Sequence, residues 1–291
     1  MISVIVPFHN EKENLPVLLE RLRKSLDGIK TKSEIILIDD GSTDEYTIDA
    51  PVIVHRKQLG KGRALETGLA HSKGDVLVFM DADLQDSPED IPLFIEQIEK
   101  GYELVNGWRK KRIDPISKTL PSSIFNALIL KPLLQSTFHD INCGFKAMKR
   151  EVLEEIPLYG DNYRFLPVLA HQYGFKTTEV VVEHSPRTKG KSKYGVKRIM
   201  YGLFDTVTTY FVFKFSEKPL HFFGPIGGSA FLIGSIITVE LTIERLFFGV
   251  ELYKRPLLLA GIFLMIVGLQ VVLTGVLAEL IVFLNKSRKN S

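Results

Sequence analysis

Residues 74–90 read GDVLVFMDADLQDSPED, and this stretch decides the fold that the rest of the chain is expected to adopt. Val76 to Met80 is a short, wholly apolar run, which is typical of a strand buried on both faces of a parallel sheet. The run ends at Asp81 and Asp83, and open α/β sheets bind ligands outside the carboxyl ends of their strands. Two carboxylates there can hold a divalent cation such as Mg²⁺, which in turn holds phosphate oxygens.

An Asp-x-Asp pair alone is a weak signal, and a solvated turn is the alternative interpretation. The residues that follow, Ser87-Pro88-Glu89-Asp90, are typical of a helix start, with serine as N-cap, proline at the first helical position and acids in the first turn. A buried strand, an acidic turn and a capped helix in succession favour a ligand site.

Composition sets wide limits on function. The chain has 291 residues, enough for one good-sized domain and a smaller one, and its net charge is only +3, so no nucleic-acid partner is expected. Cys143 is the only cysteine, which excludes an intramolecular disulfide and argues against a cysteine-based metal site. The first ten residues lack a basic region and a cleavage site, so a signal peptide is not expected.

Apolar runs alternate with helical patterns over the first 110 residues. Ile2 to Val6 is expected to form a first strand that Pro7 stops, and Asn10-Glu11 is expected to open a helix with leucines at 15, 18, 19, 22 and 26. Further strands are expected at 35–38, 52–54, 76–80 and 103–105, and a helix at Gly60-Lys61-Gly62. Strands that alternate with helices predict a doubly wound, parallel α/β sheet.

Acidic or polar residues follow three of these strands and would converge at one end of the sheet. They are Asp39-Asp40, Asp81 with Asp83, and Asn106-Gly107-Trp108-Arg109. A Rossmann dinucleotide site is disfavoured, because the first strand is followed by Pro7-Phe8-His9-Asn10 and not by G-x-G-x-x-G. A Walker A loop is excluded too, since Gly190-Lys191-Ser192 would require a glycine where Ser185 stands.

Beyond residue 110 the pattern is less regular. Leu120 to Leu134 is apolar and compatible with a helix, but too short to cross a bilayer unaided, and a core helix is one interpretation. Val180 to Val182 is expected to be a late strand, and residues 184–193 follow with one arginine and three lysines. Such a run is usually a solvated surface, whereas beside a diphosphate it would clamp the phosphate oxygens.

The last hundred residues predict membrane attachment. Lys197 to Phe215 mixes basic and apolar residues, as a helix at a membrane interface does. Leu220 to Val239 and Pro256 to Ala278 contain no Asp, Glu, Lys or Arg, and each is long enough to span about 30 Å of hydrocarbon. Two buried helices of a soluble protein are the alternative.

Flanking charges predict the orientation of these helices. Lys214, Lys218, Lys286, Arg288 and Lys289 lie on one side, against Arg245, Lys254 and Arg255 in the connecting loop. The positive-inside rule then places both ends in the cytoplasm. We expect a multi-pass protein of the cell membrane, with a cytoplasmic domain at 1–192, an amphipathic juxtamembrane segment at 193–218 and two transmembrane helices within 219–291, at about 220–243 and 256–284.

Six motifs together resemble family 2 glycosyltransferases of the GT-A fold. They are Val6-Pro7-Phe8-His9-Asn10-Glu11, Asp39-Asp40-Gly41-Ser42-Thr43-Asp44, Asp81-Ala82-Asp83-Leu84-Gln85, Asn106-Gly107-Trp108-Arg109, Asp140-Ile141-Asn142-Cys143-Gly144-Phe145-Lys146, and Arg187 through Lys193-Tyr194-Gly195. With the two C-terminal helices, the match to the polyprenyl-phosphate branch, which includes dolichol-phosphate mannose synthases and bactoprenol glucosyltransferases, extends over nearly the full chain. The resemblance implies a Rossmann-like, doubly wound mixed sheet.

The resemblance also implies roles for individual positions. Around the nucleotide sugar it places Pro7, His9, Glu11, Ile38, Asp40, Lys61, Ala82 and Gln85, with Ile38 and Asp40 at the base and ribose. Asp83 would bind Mg²⁺ or Mn²⁺ together with Asp81, while Arg109, Arg187 and Lys193 would hold phosphates. Asp140 would face the anomeric carbon and the acceptor, so that Asp83, Arg109 and Asp140 form the implied catalytic set.

This sequence departs from the family pattern at two places. The family usually has an aromatic residue where His9 stands, and it commonly has a full helix after the second motif, where only Glu45 to Ala50 precede the next strand here.

The reaction implied by the resemblance is metal-dependent transfer of a hexose from a nucleoside-diphosphate sugar to polyprenyl phosphate, with inversion. UDP and glucose are favoured, and a homo-oligomer, a tetramer in the family, is expected. A dolichol-phosphate mannose synthase that uses GDP-mannose is an alternative. A processive polysaccharide synthase would carry Gln-x-x-Arg-Trp, which the single tryptophan, Trp108, does not form. A non-catalytic scaffold would not need Asp81, Asp83 and Arg109 intact.

Overall fold

The computed structural model describes residues 1–110, 138–185, 208, 211, 215, 218–249 and 256–289. Contacts divide the chain into two compact units, Met1–Thr206 and Val207–Ser291. The expected helix at 120–134 and most of the interfacial helix expected at 197–215 lie outside the described residues. The domain boundaries at residues 192 and 218 stay a prediction.

The described strands of the first unit form one seven-stranded sheet in the order β3-β2-β1-β4-β6-β5-β7. They are β1 (Ile2–Phe8), β2 (Ser33–Asp39), β3 (Val52–Val54), β4 (Val76–Phe79), β5 (Leu104–Trp108), β6 (Lys146–Lys149) and β7 (Thr177–Val181). The helices of this unit are α1 (Leu15–Asp27), α2 (Lys61–His71), α3 (Ile91–Glu99), α4 (Arg150–Glu155) and α5 (Leu166–Gln172).

Strand β1 lies at the centre of the core, and all seven of its residues are buried. It pairs in parallel with β2 on one side and with β4 on the other, which explains why its residues are apolar except for Ser3. The five leucines predicted for the buried face of α1 are all buried, although this helix begins at Leu15 and not at Asn10. The apolar period of the sequence therefore placed the face of the helix correctly but not its start.

Pro7 does not end β1 as expected. The strand continues to Phe8, and Pro7 lies opposite Ile38 of β2. On the other side of β1, pairing with β4 ends at Ile5 opposite Phe79. Pro7 therefore lies past the last residue of β4, where the missing N–H of proline interrupts no pairing with that strand.

The helix start expected at Ser87 is also different. Pro88–Asp90 forms one 3₁₀ turn, and α3 begins only at Ile91. The Ser87 side chain makes no capping hydrogen bond and instead accepts one from Arg21 Nη2 at 3.3 Å. Arg21 also binds Glu89, so contacts with α1 replace the expected cap.

Strand β6 makes the sheet mixed, so a wholly parallel sheet, as expected from the alternation of elements, is wrong. It runs antiparallel to both of its neighbours, β4 and β5. The other strands run in one direction, and the mixed sheet implied by the family resemblance is confirmed. The carboxyl ends of β1, β2, β4 and β5 and the amino end of β6 thus lie at one end of the sheet, called here the carboxyl edge.

The second unit contains two long apolar helices, α6 (Leu220–Phe248) and α7 (Pro256–Lys289). Both contain a 29-residue stretch that is long and apolar enough to cross a membrane. Only 17% of the most apolar stretch of α6 and 11% of that of α7 is buried in the structure. The core helices of a soluble protein are mostly buried.

Glycines let α6 and α7 approach each other closely. A Cβ atom at Gly268 of α7 would lie 2.6 Å from the carbonyl oxygen of Gly227 and 2.5 Å from the backbone nitrogen of Phe231, both in α6. Gly234 and Gly261 form a second such contact. Close approach of backbones at small residues is the usual basis of helix packing in membranes.

We predict that Gly268→Leu destabilises the α6–α7 pair, because the new side chain has no room without separation of the two backbones. Overpacking of this kind costs roughly 1–3 kcal/mol. The measurement is thermal unfolding of the detergent-solubilised protein. Gly228→Leu is the matched control, since a Cβ atom at Gly228 of α6 meets nothing within 4 Å. Equal melting temperatures for the two variants would contradict the packing assignment.

Candidate functional site

The carboxyl edge gathers most of the residues that the sequence singled out. Pro7 lies in β1 and Ile38 in β2. His9 and Glu11 follow β1, Asp40 follows β2, and Lys61 begins α2. The residues that follow β4 are Asp81, Ala82, Asp83 and Gln85. Arg109 follows β5, and Asp140 precedes β6. Arg187 and Lys193 lie outside the described residues.

The loops after β1 and β2 are bonded to each other. Asn10 Oδ1 accepts a hydrogen bond from the Thr43 backbone N–H at 2.7 Å, and the Asn10 N–H donates to Ser42 Oγ at 2.9 Å. Asn10 has a φ of 57°, a left-handed conformation that asparagine tolerates better than most residues. His9 Nδ1 is 2.9 Å from the carbonyl oxygen of Asp40. These bonds fix the position of the two predicted nucleotide-binding motifs relative to each other.

Asp40 builds the turn that leads into α2. Its side chain is 6% exposed, and its carboxylate accepts hydrogen bonds from the backbone N–H groups of Leu59 and Gly60, each at 2.8 Å. His55 Nδ1 lies 2.9 Å from the same carboxylate. Asp40 therefore positions the start of α2, and with it Lys61, while its expected contact with the ribose stays a prediction.

Lys61 and Asp81 form an ion pair that joins α2 to the end of β4. Burial disfavours the ammonium, but the charge of Asp81, the adjacent Tyr163 and the hydrogen bond to Asp81 together outweigh burial and raise the pKa of Lys61 above its ordinary value. Burial likewise opposes ionisation of Asp81, yet Lys61 holds the pKa of that carboxyl below its usual range. Gly144 lies against the pair, because a Cβ atom there would be 2.7 Å from Asp81 Oδ2.

Tyr163 also contacts Lys61, a contact that the sequence did not predict. The Lys61 ammonium lies 5.2 Å from the centroid of the Tyr163 ring, a cation–π contact. Arg164 Nε donates to the Tyr163 hydroxyl at 3.2 Å. The sequence held no signal for this contact, because Tyr163 lies about a hundred residues from Lys61 and belongs to none of the six motifs.

The segment after Asp83 is bonded to the end of β7. The Ser185 N–H donates to the Gln85 carbonyl oxygen at 2.8 Å, and Asp86 and His184 form an antiparallel bridge. His184 Nδ1 also lies 3.4 Å from Asp86 Oδ1. Ser185 therefore lies beside Gln85, and the basic stretch of the sequence that includes Arg187 follows it directly.

Arg109 and Asp140 form a bidentate ion pair between the end of β5 and the loop before β6. Arg109 Nε donates to Oδ2 at 2.7 Å and Nη2 donates to Oδ1 at 3.1 Å. Each side chain is 12% exposed. Burial disfavours the guanidinium, but the hydrogen bonds to Asp140 and the nearby negative charges, those of Asp140 and Asp86 among them, together outweigh burial and raise the pKa of Arg109. Within the described residues no hydrogen bond involves Arg109 Nη1.

Lys146 is the first residue of β6, directly after the loop that contains Asp140, and it is 1% exposed. Its ammonium donates to the carbonyl oxygen of Cys143 and, at 3.5 Å, to that of Ile141. Burial lowers the pKa of Lys146 to about 8 and raises the pKa of Cys143 to about 12. The amine therefore ties the turn at 141–143 to β6, a role that the sequence motif did not reveal.

The described residues fit a divalent cation that arrives with a substrate. They contain no group of three or more His, Cys, Asp or Glu side chains that could hold a metal by themselves. Asp81 is paired with Lys61, and Asp83, which follows on the same turn, accepts the Gln85 N–H at 3.3 Å. Because Mg²⁺ is commonly bound through one or two carboxylates, substrate phosphates and water, a single carboxylate such as that of Asp83 could anchor it, and this role of Asp83 stays a prediction.

Comparison with known proteins places the chain in a family. A family model described as "Glycosyl transferase family 2" matches residues 3–157. A dodecaprenyl-phosphate galacturonate synthase of Rhizobium johnstonii is 30% identical over 96% of this chain and 87% of that protein. An undecaprenyl-phosphate 4-deoxy-4-formamido-L-arabinose transferase of Pseudomonas syringae is 31% identical over 85% of this chain and 75% of that protein.

Solved structures share the fold. Glucosyl-3-phosphoglycerate synthase from Mycobacterium tuberculosis, in complex with Mn²⁺ and UDP-glucose, superimposes with a TM-score of 0.57 at 22% identity, over 72% of this chain and 78% of that one. The same enzyme with Mg²⁺ and UDP gives a TM-score of 0.56. At this identity the likeness establishes the GT-A type of fold and nothing about ligands.

We predict that Lys146→Met changes the pH dependence of stability. The pKa of the amine is about 8 in the folded protein, against roughly 10.4 in an unfolded chain. At pH values between these two pKa values, the unfolded state binds more protons than the folded state. The wild type should therefore gain stability relative to Lys146→Met as pH rises from 8 to 10. Thermal unfolding at pH 7, 8, 9 and 10 measures the difference.

Lys149→Met, at the half-buried end of the same strand, is the control and should follow the wild type. A difference between wild type and Lys146→Met that stays constant from pH 7 to pH 10 would contradict the burial of a titrating amine.

Proposed function

The chain belongs to glycosyl transferase family 2, and on this basis we propose that it transfers a sugar from a nucleoside-diphosphate donor to the phosphate of a membrane polyprenol. Two relatives that cover most of the chain are named for sugar transfer to dodecaprenyl or undecaprenyl phosphate, which supports this acceptor. The apolar helices α6 and α7 support it as well, because a polyprenol resides in the membrane.

The observation that carries the proposal is the combination of acids and cations at the carboxyl edge. Lys61 pairs with Asp81, and Arg109 pairs with Asp140, while Asp83 follows on the β4 turn. Phosphoryl groups are bound by cations and by metal on carboxylates, and the proposed reaction has phosphates on both donor and acceptor.

The acceptor phosphate needs positioning more than it needs a general base. A phosphate monoester has a second pKa of about 6, so near neutral pH it is already an anion able to attack the anomeric carbon. Attack on the face opposite the leaving diphosphate would invert that carbon. Asp140 is bonded through both oxygens to Arg109, and this favours a role in orienting the guanidinium over proton removal. Arg109 would then bind a phosphate through Nη1.

Charge that develops on the leaving diphosphate must be neutralised. Lys61 is a candidate from α2, and Arg187 and Lys193 are candidates from the basic stretch that begins next to Gln85. Mg²⁺ or Mn²⁺ held by Asp83 and the diphosphate would supply further positive charge when bound. Asp81, held by Lys61, would shape this pocket, and its direct ligation of the metal belongs to the same proposal.

The donor is proposed to be a UDP-sugar, with UDP-glucose the first to test. Galacturonate and 4-deoxy-4-formamido-L-arabinose in the names of the relatives extend the panel to UDP-uronates and UDP-amido sugars. GDP-mannose with dolichol phosphate is the remaining alternative. Homo-oligomer formation stays a prediction.

We predict that purified membranes containing the protein transfer radiolabelled sugar from one member of this panel to polyprenyl phosphate. EDTA should abolish transfer, and Mg²⁺ or Mn²⁺ should restore it. Asp83→Asn should lower the rate by at least about 100-fold, about 2.7 kcal/mol of transition-state stabilisation, because a carboxamide replaces a charged ligand.

Asp75→Asn is the matched control at the opposite end of β4, where the carboxylate is exposed and pairs only with the chain terminus among the described residues. Its rate should equal that of the wild type. Transfer at the normal rate by Asp83→Asn would refute the metal assignment, and no transfer from any donor would refute the proposed function.

The proposed orientation has the N-terminal unit in the cytoplasm, since more lysines and arginines flank the outer ends of α6 and α7 than lie between them. We predict that a cysteine at Glu251, between the helices, reacts with an impermeant thiol reagent added to intact cells. A cysteine at the exposed Glu99 should react only after permeabilisation. Cys143 is fully buried and gives no background in either case. The opposite labelling pattern would overturn the orientation.

A further inference from the structure

Glu179 occupies an unusual place for a carboxylate. It lies in the middle of β7, the strand at one side of the sheet, directly opposite Asn106 of β5. Its side chain is only 12% exposed, and desolvation of a charge is costly unless hydrogen bonds replace the lost water. Its partners therefore show what it contributes.

Four donors converge on this carboxylate. The backbone N–H groups of His139 and Asp140 lie 3.0 Å and 3.3 Å from its oxygens, and His139 Nδ1 lies at 2.8 Å. Asn106 Nδ2 is the fourth donor, at 3.2 Å. A carboxylate has about four acceptor positions, so these donors fully use the hydrogen-bonding capacity of Glu179.

Asn106 holds the same backbone from the other side. It is fully buried, and its Nδ2 also donates to the carbonyl oxygen of Asp140 at 2.8 Å. The peptide groups on both sides of Asp140 are thus fixed, one by Glu179 and one by Asn106. The His139 ring is stacked on Trp108 with centroids 4.0 Å apart, which anchors the loop to β5.

We propose that Glu179 is a positioning residue of the active site, which holds the backbone of Asp140 so that Asp140 can orient Arg109. The inference rests on the proposed function, because the role of Arg109 in binding a phosphate belongs to it. Glu179 does not touch the substrate. It acts through the bonds from Glu179 to the Asp140 backbone and from the Asp140 carboxylate to Arg109.

The variant Glu179→Gln tests this role with almost no change in volume. Its amide group would direct N–H donors at the N–H donors of the loop, so the backbone of His139 and Asp140 would lose part of its anchorage. We expect kcat for sugar transfer to fall about 10- to 100-fold, the range seen when a group that orients a ligand is lost, while KM for the donor changes less than about threefold. Hydrogen exchange of the His139 and Asp140 amides should accelerate about 10-fold or more.

Glu103→Gln is the matched control. Glu103 Oε2 accepts the Lys176 N–H at 2.7 Å across the same two strands, but at their opposite end. This variant loses a comparable bond far from the carboxyl edge, so its kcat and the exchange at His139 and Asp140 should match the wild type.

Each outcome decides the inference. Faster exchange in Glu179→Gln together with a selective fall in kcat supports it. Faster exchange with normal kcat, unchanged exchange, or an equal fall of kcat in Glu103→Gln overturns it. If the wild type transfers no sugar, the proposed function fails and the catalytic role of Glu179 fails with it, while the exchange measurement still decides whether Glu179 anchors the loop.

Discussion

Parallel hydrogen bonding of β1 to both β2 and β4 is the constraint on which the rest of the N-terminal unit depends. Because these three strands run in one direction, the chain must leave each of them at the same end of the sheet. The loops at His9, at Asp40 and at Asp81 therefore meet there whatever their sequences are. Their polar side chains then determine how they are held, as Asn10 bonds the loop of β2 and Asp40 bonds the turn before α2.

Charge balance is the second organising feature of the carboxyl edge. Lys61 neutralises Asp81, and Arg109 neutralises Asp140, so these four side chains carry no net charge together. Loss of one member of such a pair leaves the other partly buried without a counterion, which costs far more than the pair contributes. An incoming diphosphate would bring more negative charge than Lys61 and Arg109, each already paired with a carboxylate, can balance alone. The basic residues from Arg187 to Lys193 and a divalent cation at Asp83 are available to balance it under the proposed function.

Much of this arrangement could be predicted from local sequence. Apolar runs placed β1, β2, β3, β4 and β5 to within a few residues, and the leucine period of α1 gave its buried face. Strand β6 was not predicted, because KAMK carries a lysine at each end and Lys146 is buried only through carbonyl partners supplied by the preceding turn. Tyr163 and Glu179 were missed for a related reason. Their roles come from contacts with residues 39 to 102 positions away, and no periodicity or motif in the sequence encodes such distances.

The antiparallel direction of β6 also has a consequence for how this fold can diversify. Strand β5 ends, and β6 begins, at the carboxyl edge. The stretch of chain between them starts and finishes on the same side of the sheet, so residues can be added, removed or exchanged there without any change in strand register. Evolution, or a protein engineer, can therefore alter the chain between Arg109 and Asp140 as one continuous segment, while strands β4, β5 and β6 stay as they are.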